Sequence, residues 1–295
     1  MVRAMEQLVA LLRCPACGGR IELRGQSVCA SGHRYPIVEG IPVLLDEAAL
    51  STDPQYASQR AYFDAEFERY EHYRLENWQA AYIERLRKAA VLEGTTPLID
   101  VGVGGSGYTV IEAARTGRPA VGCDLSLRGL LAAREFARSE NVAERTLWVC
   151  CSAERLPFEQ DAFGSALAVA VLEHVPDDGA ALAELARVLQ RGGGAWVTVP
   201  HALRYISPLL RGANRRHDRR LGHLRRYEAD LLIERAQTVG LEPVDVQFTG
   251  HPVKVVQLLA PRLGDRVWWW SEARDRRRSR ERRGSMQLSV LFERA

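Results

Sequence analysis

The stretch LIDVGVGGSGYTV, Leu98 to Val110, decides the fold, because a glycine-rich turn joins an apolar run to a run with helical spacing. It carries G-x-G-x-x-G at Gly102, Gly104 and Gly107. Glycines in such a turn let the backbone approach a nucleotide closely. The stretch predicts a nucleotide site, but the glycine pattern alone leaves open whether the ligand is a dinucleotide or another adenosine compound.

Strand and helix patterns alternate from Thr96 to Pro200. The strand-like runs are TPLIDVG, PAVGCD, TLWVCC, ALAVAVLE and GAWVTVP, and the helix-like runs are SGYTVIEAART, SLRGLLAAREFARS and DGAALAELARVL. This alternation predicts an α/β fold with a Rossmann-like parallel sheet covered by helices on both faces. Ligands of such sheets bind at the carboxyl ends of the strands, where the glycine turn falls.

Two acidic residues indicate which kind of adenosine ligand the turn binds. Asp100 lies just before the glycine turn, where a carboxylate repels the pyrophosphate of a dinucleotide. S-adenosylmethionine has no phosphate and carries a sulfonium and an ammonium, so an acid beside the turn favours it. Asp124, at the end of the next strand, suits a carboxylate that accepts both ribose hydroxyls. We therefore expect S-adenosylmethionine as the cofactor.

The cysteines fall into two groups. Cys14, Cys17, Cys29 and His33 form C-x2-C-x11-C-x3-H, in which three thiolates and one imidazole make a closed tetrahedral shell for a structural zinc ion. The remaining cysteines lie in strand-like runs, where we expect buried thiols: Cys123, Cys150 and Cys151. Four unrelated metal-type residues at the N-terminus are the alternative to the zinc site.

The residues that follow the cysteines carry a first resemblance. CPAC, a later cysteine and RYPIVEGIPVLL resemble the small zinc-ribbon domain that accompanies certain methyltransferases as a separate partner or a fused module. The C-x3-H half is similar to the N-terminal zinc module of the 23S rRNA guanine-N1 methyltransferases. A ribbon of about forty residues buries too little core to fold without metal or a neighbouring domain.

A second resemblance covers Thr96 to Pro200. SAERLPFEQDAFGSALAVAVLEHVPD and LAELARVLQRGGGAWVTVP resemble class I S-adenosylmethionine-dependent methyltransferases of the ubiquinone/menaquinone type and the small-molecule group around it. This resemblance implies a seven-stranded sheet and methyl transfer to a small acceptor. The implied cofactor-binding residues are Asp100, Gly102, Gly104, Gly107, Asp124, Leu125, Ser152, Ala153 and Glu154. Ser106 and Ser152 depart from the usual glycine and acid of the family.

The chain divides into three predicted segments: residues 1–50 form the zinc ribbon, 51–95 a helical cap or linker, and 96–295 the methyltransferase domain. Aromatic residues at helical spacing in 51–95 belong to the core or cover the substrate pocket. An arginine-rich loop, residues 203–226, interrupts the fold after the fifth strand and is predicted to select the substrate. A solvated loop in an arginine-rich chain is the alternative.

Methyl transfer needs few catalytic side chains, because the sulfonium is already activated and the protein mainly holds the acceptor in line in a dry pocket. A hydroxyl acceptor is helped by a base. His174, His201 and His223 are the candidates, and a structural role is open for each of them.

The leading functional hypothesis is methyl transfer to an oxygen or carbon atom of a small-molecule, lipid or glycan acceptor, with an anionic acceptor suggested by the arginines. The alternatives are a 23S rRNA guanine-N1 methyltransferase, with RNA as partner, and a cofactor-binding adaptor without catalysis. No apolar run approaches the roughly 20 residues of a transmembrane helix, and the N-terminus lacks a signal-peptide cleavage site. We expect a cytoplasmic protein. The sequence leaves the oligomeric state open.

Overall fold

The structure is a computed structural model that describes residues 2–29, 31–46, 53–68, 70–259 and 264–295. The chain starts with the helix Val2–Ala10 and a small β unit. Strands β1 to β5 of this unit are Ile21–Arg24, Gln26–Cys29, Arg34–Tyr35, Ile37–Val38 and Ile41–Pro42. The first three form one antiparallel sheet and the last two form another. The predicted boundary between residues 50 and 51 lies outside the described residues.

A seven-stranded sheet forms the centre of the molecule, in the order β11-β12-β10-β9-β6-β7-β8. Its strands β6 to β12 are Leu98–Val101, Ala120–Asp124, Thr146–Cys150, Phe163–Val169, Leu189–Pro200, Leu241–Thr249 and Gln287–Arg294. Strands β6 to β10 are parallel, and β12 runs antiparallel between β10 and β11. The predicted α/β, Rossmann-like seven-stranded sheet is confirmed, with the correction that the sheet is mixed rather than wholly parallel.

Helices cover both faces of this sheet. They are Tyr108–Arg115, Leu127–Ser139, Asp178–Val188 and Ala229–Gln237, whereas the helix Asp265–Arg277 packs against the segment Pro252–Leu259. Because both faces are covered, central strands are buried along their whole length: every residue of Leu98–Val101, including Asp100, is buried. The strand order reverses at β6, whose neighbours are β7 on one side and β9 on the other. Such a switch point leaves a crevice outside the carboxyl ends of the strands.

The N-terminal unit packs on the β8 edge of the sheet. The backbone amide of Leu44 donates to the carbonyl of Cys150 at 2.8 Å, and that of Arg13 donates to Pro157 at 2.9 Å. Leu8 and Leu12 are fully buried in the same core cluster as β8 residues. Shared core and backbone hydrogen bonds therefore fix the unit to the larger domain.

Two further helices, Pro54–Phe67 and Asn77–Lys88, lie between the N-terminal unit and β6. The first, here called the cap helix, begins at Asp53, whose side chain accepts the backbone amide of Gln55 at 2.8 Å, while residues 51 and 52 lie outside the described part of the chain. The Ser126 hydroxyl donates to Asp64 Oδ1 at 2.5 Å and ties this helix to the sheet domain. Among the described residues, no helix combines the length and apolar character that crossing a bilayer requires.

The predicted arginine-rich loop is wrong in one respect, because most of it is the helix Pro208–Leu221, here called the arginine helix. Proline at the first helical position suits a helix start, and Gly222, with φ of +69°, ends the helix in the left-handed region. The residues that face the cavity follow helical spacing: Leu210, Ala213, Asn214, His217 and Leu221.

Candidate active site

A cavity of about 900 Å³ opens at the carboxyl ends of β6, β7, β9 and β10. The glycine turn and strand ends form its floor, and the cap helix and the arginine helix form its roof. This volume lies near the upper end of the roughly 300–1,000 Å³ found for small-molecule sites. The cavity is therefore large enough for an adenosine cofactor together with a second small molecule.

The glycine turn holds Asp124 in place. The Gly104 amide donates to Asp124 Oδ2 at 2.8 Å, and the Ser126 amide donates to Oδ1 at 2.8 Å. Gly104 has φ of +66°, a conformation that L side chains rarely adopt, and this conformation turns its amide toward the carboxylate. Burial raises the pKa of Asp124 to about 6. Each carboxylate oxygen keeps a lone pair for a ligand hydroxyl.

Asp100 contributes a second carboxylate to the cavity. Its Oδ2 accepts a hydrogen bond from the Thr109 hydroxyl, whereas Oδ1 is buried and has no partner among the described residues. Burial raises the pKa of Asp100 to about 7, and the nearby Asp124 carboxylate adds to the shift. An unpaired buried carboxylate oxygen is costly unless a ligand donates to it, so Asp100 marks a place for a cationic or hydrogen-bonding ligand group.

The other predicted cofactor residues divide into two sets. Those in the cavity lining are Gly102, Leu125, Ser152 and Ala153. Gly107 and Glu154 lie outside the lining: Gly107 precedes the helix Tyr108–Arg115, where a Cβ would lie 2.7 Å from the Trp148 ring, and Glu154 Oε1 accepts the Asp177 amide at 2.6 Å. Their roles are therefore in packing and turn formation. The Tyr56 hydroxyl lies 3.5 Å from Ser152 Oγ, so the cap reaches the cofactor side of the cavity.

His174 and His223 lie together in the cavity lining, with ring centroids 4.7 Å apart and nearly perpendicular. The neighbouring Glu173 is 1% exposed and also lines the cavity. The Asp218 carboxylate, on the arginine helix, lies 2.9 Å from His223 Nδ1. Burial lowers the pKa of His174 to about 3, which keeps this imidazole neutral. The structure thus brings two of the three predicted histidines to one point.

His201 lies elsewhere. Its side chain is fully buried outside the cavity lining, with Nδ1 2.7 Å from the Ser285 hydroxyl and its ring stacked on Tyr205 at 4.4 Å between centroids. His201 does follow the end of strand β10, as the sequence predicts. Its ring, however, packs between this strand and the C-terminal segment. The structure gives His201 a packing environment.

The roof of the cavity is mainly apolar and aromatic. Its residues include Tyr56, Phe63, Phe67, Tyr70 and Trp78 from the segment before β6, and Leu210, Val255 and Met286 from the later segments. Phe67 lies over the glycine turn, where a Cβ on Gly105 would be 2.9 Å from its ring. This aromatic segment therefore covers the cavity, one of the two roles that its spacing predicts.

The cationic side chains in the described lining are Arg226 and Lys254, and both are paired. Arg226 Nε donates to Asp218 Oδ2 at 2.7 Å, and Lys254 Nζ lies 2.8 Å from Glu272 Oε2. Four arginines of the arginine helix point to solvent instead: Arg215, Arg216, Arg219 and Arg220. The charge of segment 203–226 therefore lies largely outside the cavity.

Sequence reasoning missed several site residues: Glu173, Thr198, Asp218 and Arg226. Glu173 is adjacent to His174 in the EHV stretch, and this adjacency is the one sequence feature that could have identified it as a site residue. The others come together only through the fold, because the arginine helix and the cap are distant in sequence from the strands that they contact.

The N-terminal unit brings its four predicted ligands together. Cys29 Sγ and Cys14 Sγ lie 3.4 and 3.6 Å from His33 Nδ1, and Cys17 Sγ lies 3.7 Å from Cys29 Sγ. All four ligand atoms lie within 4.8 Å of one another. The cluster is therefore compact enough for one ion to contact every member.

Comparison with known proteins defines the class. Residues 99–197 match the family described as Methyltransferase domain. Together with the sheet order, the acidic strand ends and the cavity, this match supports a class I S-adenosylmethionine-dependent methyltransferase of small-molecule type. The predicted family and enzyme class are confirmed.

Particular relatives follow. The chain is 30% identical over 178 residues to the methyltransferase GfsG of Streptomyces halstedii, covering 57% of this chain and 63% of GfsG. It is 31% identical over 123 residues to the ubiquinone/menaquinone biosynthesis C-methyltransferase UbiE of Allorhizobium ampelinum, covering 39% of this chain and 48% of UbiE. The matched stretches thus span less than two thirds of both relatives.

The chain also matches one protein over a short stretch of sequence and one solved structure over most of its length. The chain is 43% identical over 49 residues to UPF0434 protein MS0934 of Mannheimia succiniciproducens, covering 15% of this chain and 80% of that protein. Over this stretch the chain belongs to the family of that protein. Geranyl diphosphate C-methyltransferase from Streptomyces coelicolor A3(2), solved with Mg²⁺, geranyl diphosphate and S-adenosyl-L-homocysteine, superposes with a TM-score of 0.61 at 16% identity. That superposition covers 82% of this chain and 98% of the other, and shows the shared fold.

Proposed function

We propose that this protein transfers a methyl group from S-adenosylmethionine to an oxygen or carbon atom of a small, mainly apolar acceptor bound in the cavity. One observation carries the proposal: a single cavity joins the Asp100 and Asp124 carboxylates to an aromatic roof. Such a cavity places a cofactor and an acceptor side by side, which is the main requirement of direct methyl transfer.

The residues present fit the cofactor. Asp124, fixed by two backbone amides, would accept the ribose hydroxyls. Asp100 Oδ1, which has no partner among the described residues, would face the cationic end of the cofactor. Ser152, Ala153 and Leu125 would line the adenine side. When bound, S-adenosylmethionine supplies a methyl group that is already activated as a leaving substituent of sulfonium.

The acceptor side favours a molecule without strong negative charge. Arg226 and Lys254 are both engaged with acids of the protein, so neither offers an uncompensated charge to an anion. The aromatic roof instead provides apolar surface and excludes water, which keeps the methyl group from hydrolysis. This assignment replaces the anionic acceptor suggested by the arginine count, and it agrees with relatives that act in ubiquinone and menaquinone biosynthesis.

Glu173, His174 and His223 would contact the reacting end of the acceptor, because they form the main polar group beneath the aromatic roof. A catalytic role for His174 and His223 stays a prediction. His201 lies outside the cavity lining, so we leave it out of the proposed site.

We further propose that residues up to 50 form a zinc ribbon with a structural ion bound by Cys14, Cys17, Cys29 and His33. Bonds of about 2.3 Å to sulfur and 2.1 Å to nitrogen place ligand atoms of a tetrahedral zinc site roughly 3.5–3.8 Å apart. The three separations of 3.4 to 3.7 Å between these ligand atoms agree with that spacing. The ion would stabilise the unit that packs against β8. The division at residues 51–95 and 96–295 is part of this proposal.

The two alternatives gain nothing from these observations. The relatives named above do not support the rRNA guanine-N1 activity, and the paired cations of the described cavity lining offer no phosphate clamp. The adaptor without catalysis is disfavoured because both carboxylates expected for cofactor binding face the cavity. The cytoplasmic location stays a prediction.

The test is a tritium-transfer assay with the full chain. Protein and S-adenosylmethionine labelled in the methyl group are incubated with a small-molecule and lipid extract, and separately with undermethylated ribosomal RNA. We expect label in the extract with the wild type and with Asp230→Ala, an exposed acid outside the cavity lining, and none with Asp124→Ala. Label in RNA would overturn the acceptor class, and no label in either fraction despite measured cofactor binding would contradict catalysis.

A further inference from the structure

Three metal-type side chains converge at the cavity, apart from the cysteine cluster. Glu173, His174 and His223 each present one ligand atom, and these atoms lie within 4.8 Å of one another. All three residues line the cavity beneath the aromatic roof. The methyl-transfer reaction itself does not require such a group, because the sulfonium is already activated.

Two of these three residues have a buried side-chain atom without a hydrogen-bond partner among the described residues. Glu173 is 1% exposed, and its Oε2 has no hydrogen-bond partner in the described part of the chain. His174 Nδ1 is likewise buried and unpaired there. Buried polar atoms in folded proteins are nearly always paired, so two unpaired atoms on adjacent residues need an explanation. A bound ligand that accepts both lone pairs provides one.

The third donor is already oriented. His223 Nδ1 lies 2.9 Å from Asp218 Oδ1, and Arg226 holds Asp218 through contacts at 2.7 and 2.8 Å. A carboxylate on one ring nitrogen fixes the tautomer that leaves the other nitrogen with its lone pair free. Metal-binding histidines are commonly oriented in this way.

The neighbouring cation does not satisfy the glutamate. Arg226, which also lines the cavity, donates to Asp218, to the Asn214 side chain at 3.1 Å and to the His201 carbonyl at 2.9 Å. Its guanidinium is therefore committed to the arginine helix and the β10 end. The unpaired Glu173 Oε2 and the two imidazole rings beside it therefore leave a place for a cation from outside the protein.

We propose that Glu173, His174 and His223 bind one first-row divalent metal ion at the acceptor end of the cavity. Two imidazoles and one carboxylate suit Fe²⁺, Co²⁺ or Zn²⁺, and three protein ligands leave open positions for water or for oxygen atoms of a ligand. Bonds of about 2.1 Å place ligand atoms roughly 3.0–3.4 Å apart, so small side-chain rotations complete the site. The proposal does not rest on methyl transfer, because metal binding needs neither cofactor nor acceptor.

The experiment loads the metal-free full chain with Co²⁺ alone. The bound ion is counted by mass spectrometry after desalting, and the absorption spectrum separates the two sites. Cobalt in the Cys3His cluster gives thiolate-to-cobalt charge transfer, whereas cobalt on nitrogen and oxygen ligands gives only weak ligand-field bands. We expect two equivalents in the wild type.

The variants assign the second ion. Glu173→Gln and His223→Asn should bind one equivalent and keep the charge-transfer band, which shows that the chain is folded. His217→Asn is the matched control: His217 lies on the arginine helix with its ring 5.9 Å from that of His223, and this variant should keep two equivalents. Asp218→Asn, which leaves all three ligands, should weaken the second ion by about 10- to 100-fold.

Two results would overturn the proposal. One is a wild type that binds a single equivalent, all of it with thiolate charge transfer. The other is a second equivalent that survives in Glu173→Gln and His223→Asn, which would place that ion elsewhere. A water molecule bridging the unpaired atoms would produce the first result.

Discussion

The contact between the cap helix and the cofactor turn can be tested at Gly129. This residue lies in the helix Leu127–Ser139, and a Cβ there would be 2.5 Å from Phe67 Cδ2. The ring also lies close to Gly105, where a Cβ would be 2.9 Å from Phe67 Cγ. Phe67 thus packs closely against both glycines.

Gly129→Ala therefore combines two opposing effects. Alanine in a helix stabilises the protein by about 1 kcal/mol relative to glycine. The contact with Phe67 costs about 1–3 kcal/mol as overpacking. The net change in the free energy of unfolding should lie between zero and a loss of about 2 kcal/mol. In the Phe67→Ala background the clash is gone, so the same substitution should stabilise by about 1 kcal/mol.

Urea unfolding of the wild type, both single variants and the double variant measures this coupling. Gly212→Ala is the control, because it lies in the arginine helix with nothing within 4 Å of its Cβ position and should stabilise equally in both backgrounds. If Gly129→Ala stabilises the wild type as much as it stabilises Phe67→Ala, the cap does not pack on the cofactor domain as the structure shows.

The remaining predictions concern pH and zinc. Burial raises the pKa of Asp100 to about 7 and that of Asp124 to about 6, so the folded chain holds these protons more tightly than the unfolded chain. Stability without cofactor should therefore fall as pH rises from about 4 to 7, whereas affinity for S-adenosylhomocysteine, measured by calorimetry, should rise roughly 10- to 100-fold from pH 5.5 to 8. An affinity that falls over this range would contradict the carboxylate roles. Removing zinc with a chelator should make the β1–β3 sheet sensitive to protease, because a unit this small does not fold without its metal. Unchanged protease resistance of the metal-free protein would refute the structural role of zinc.

Much of the fold could be predicted from the sequence because parallel central strands are buried on both faces. Leu98–Val101 and Ala120–Asp124 therefore appear as mainly apolar runs, each with an acid at or next to its carboxyl end. The glycine turn and the acids identify the cofactor side because these residues are close together in sequence. The Cys3His cluster is equally local, since its ligand spacing reflects one tight β unit.

The acceptor side could not be predicted, because it depends on contacts between distant segments. The arginine helix appears as a loop in sequence, since its cavity-facing residues Leu210, His217 and Leu221 are separated by exposed arginines. His201 follows the expected strand but packs against Tyr205. Glu173 gains its importance only when the fold brings His223 beside it.

The central claim is that the cavity at the strand ends is the S-adenosylmethionine site, and calorimetry with S-adenosylhomocysteine tests it most directly. Asp124→Ala removes hydrogen bonds from two ribose hydroxyls to a charged group, each contributing about 1.5–3 kcal/mol. The loss of about 3–6 kcal/mol corresponds to a roughly 10²- to 10⁴-fold weaker affinity. Asp230→Ala, which changes an exposed acid outside the cavity lining, should bind as the wild type does. Equal affinities of Asp124→Ala and the wild type, or no binding by the wild type, would contradict the account.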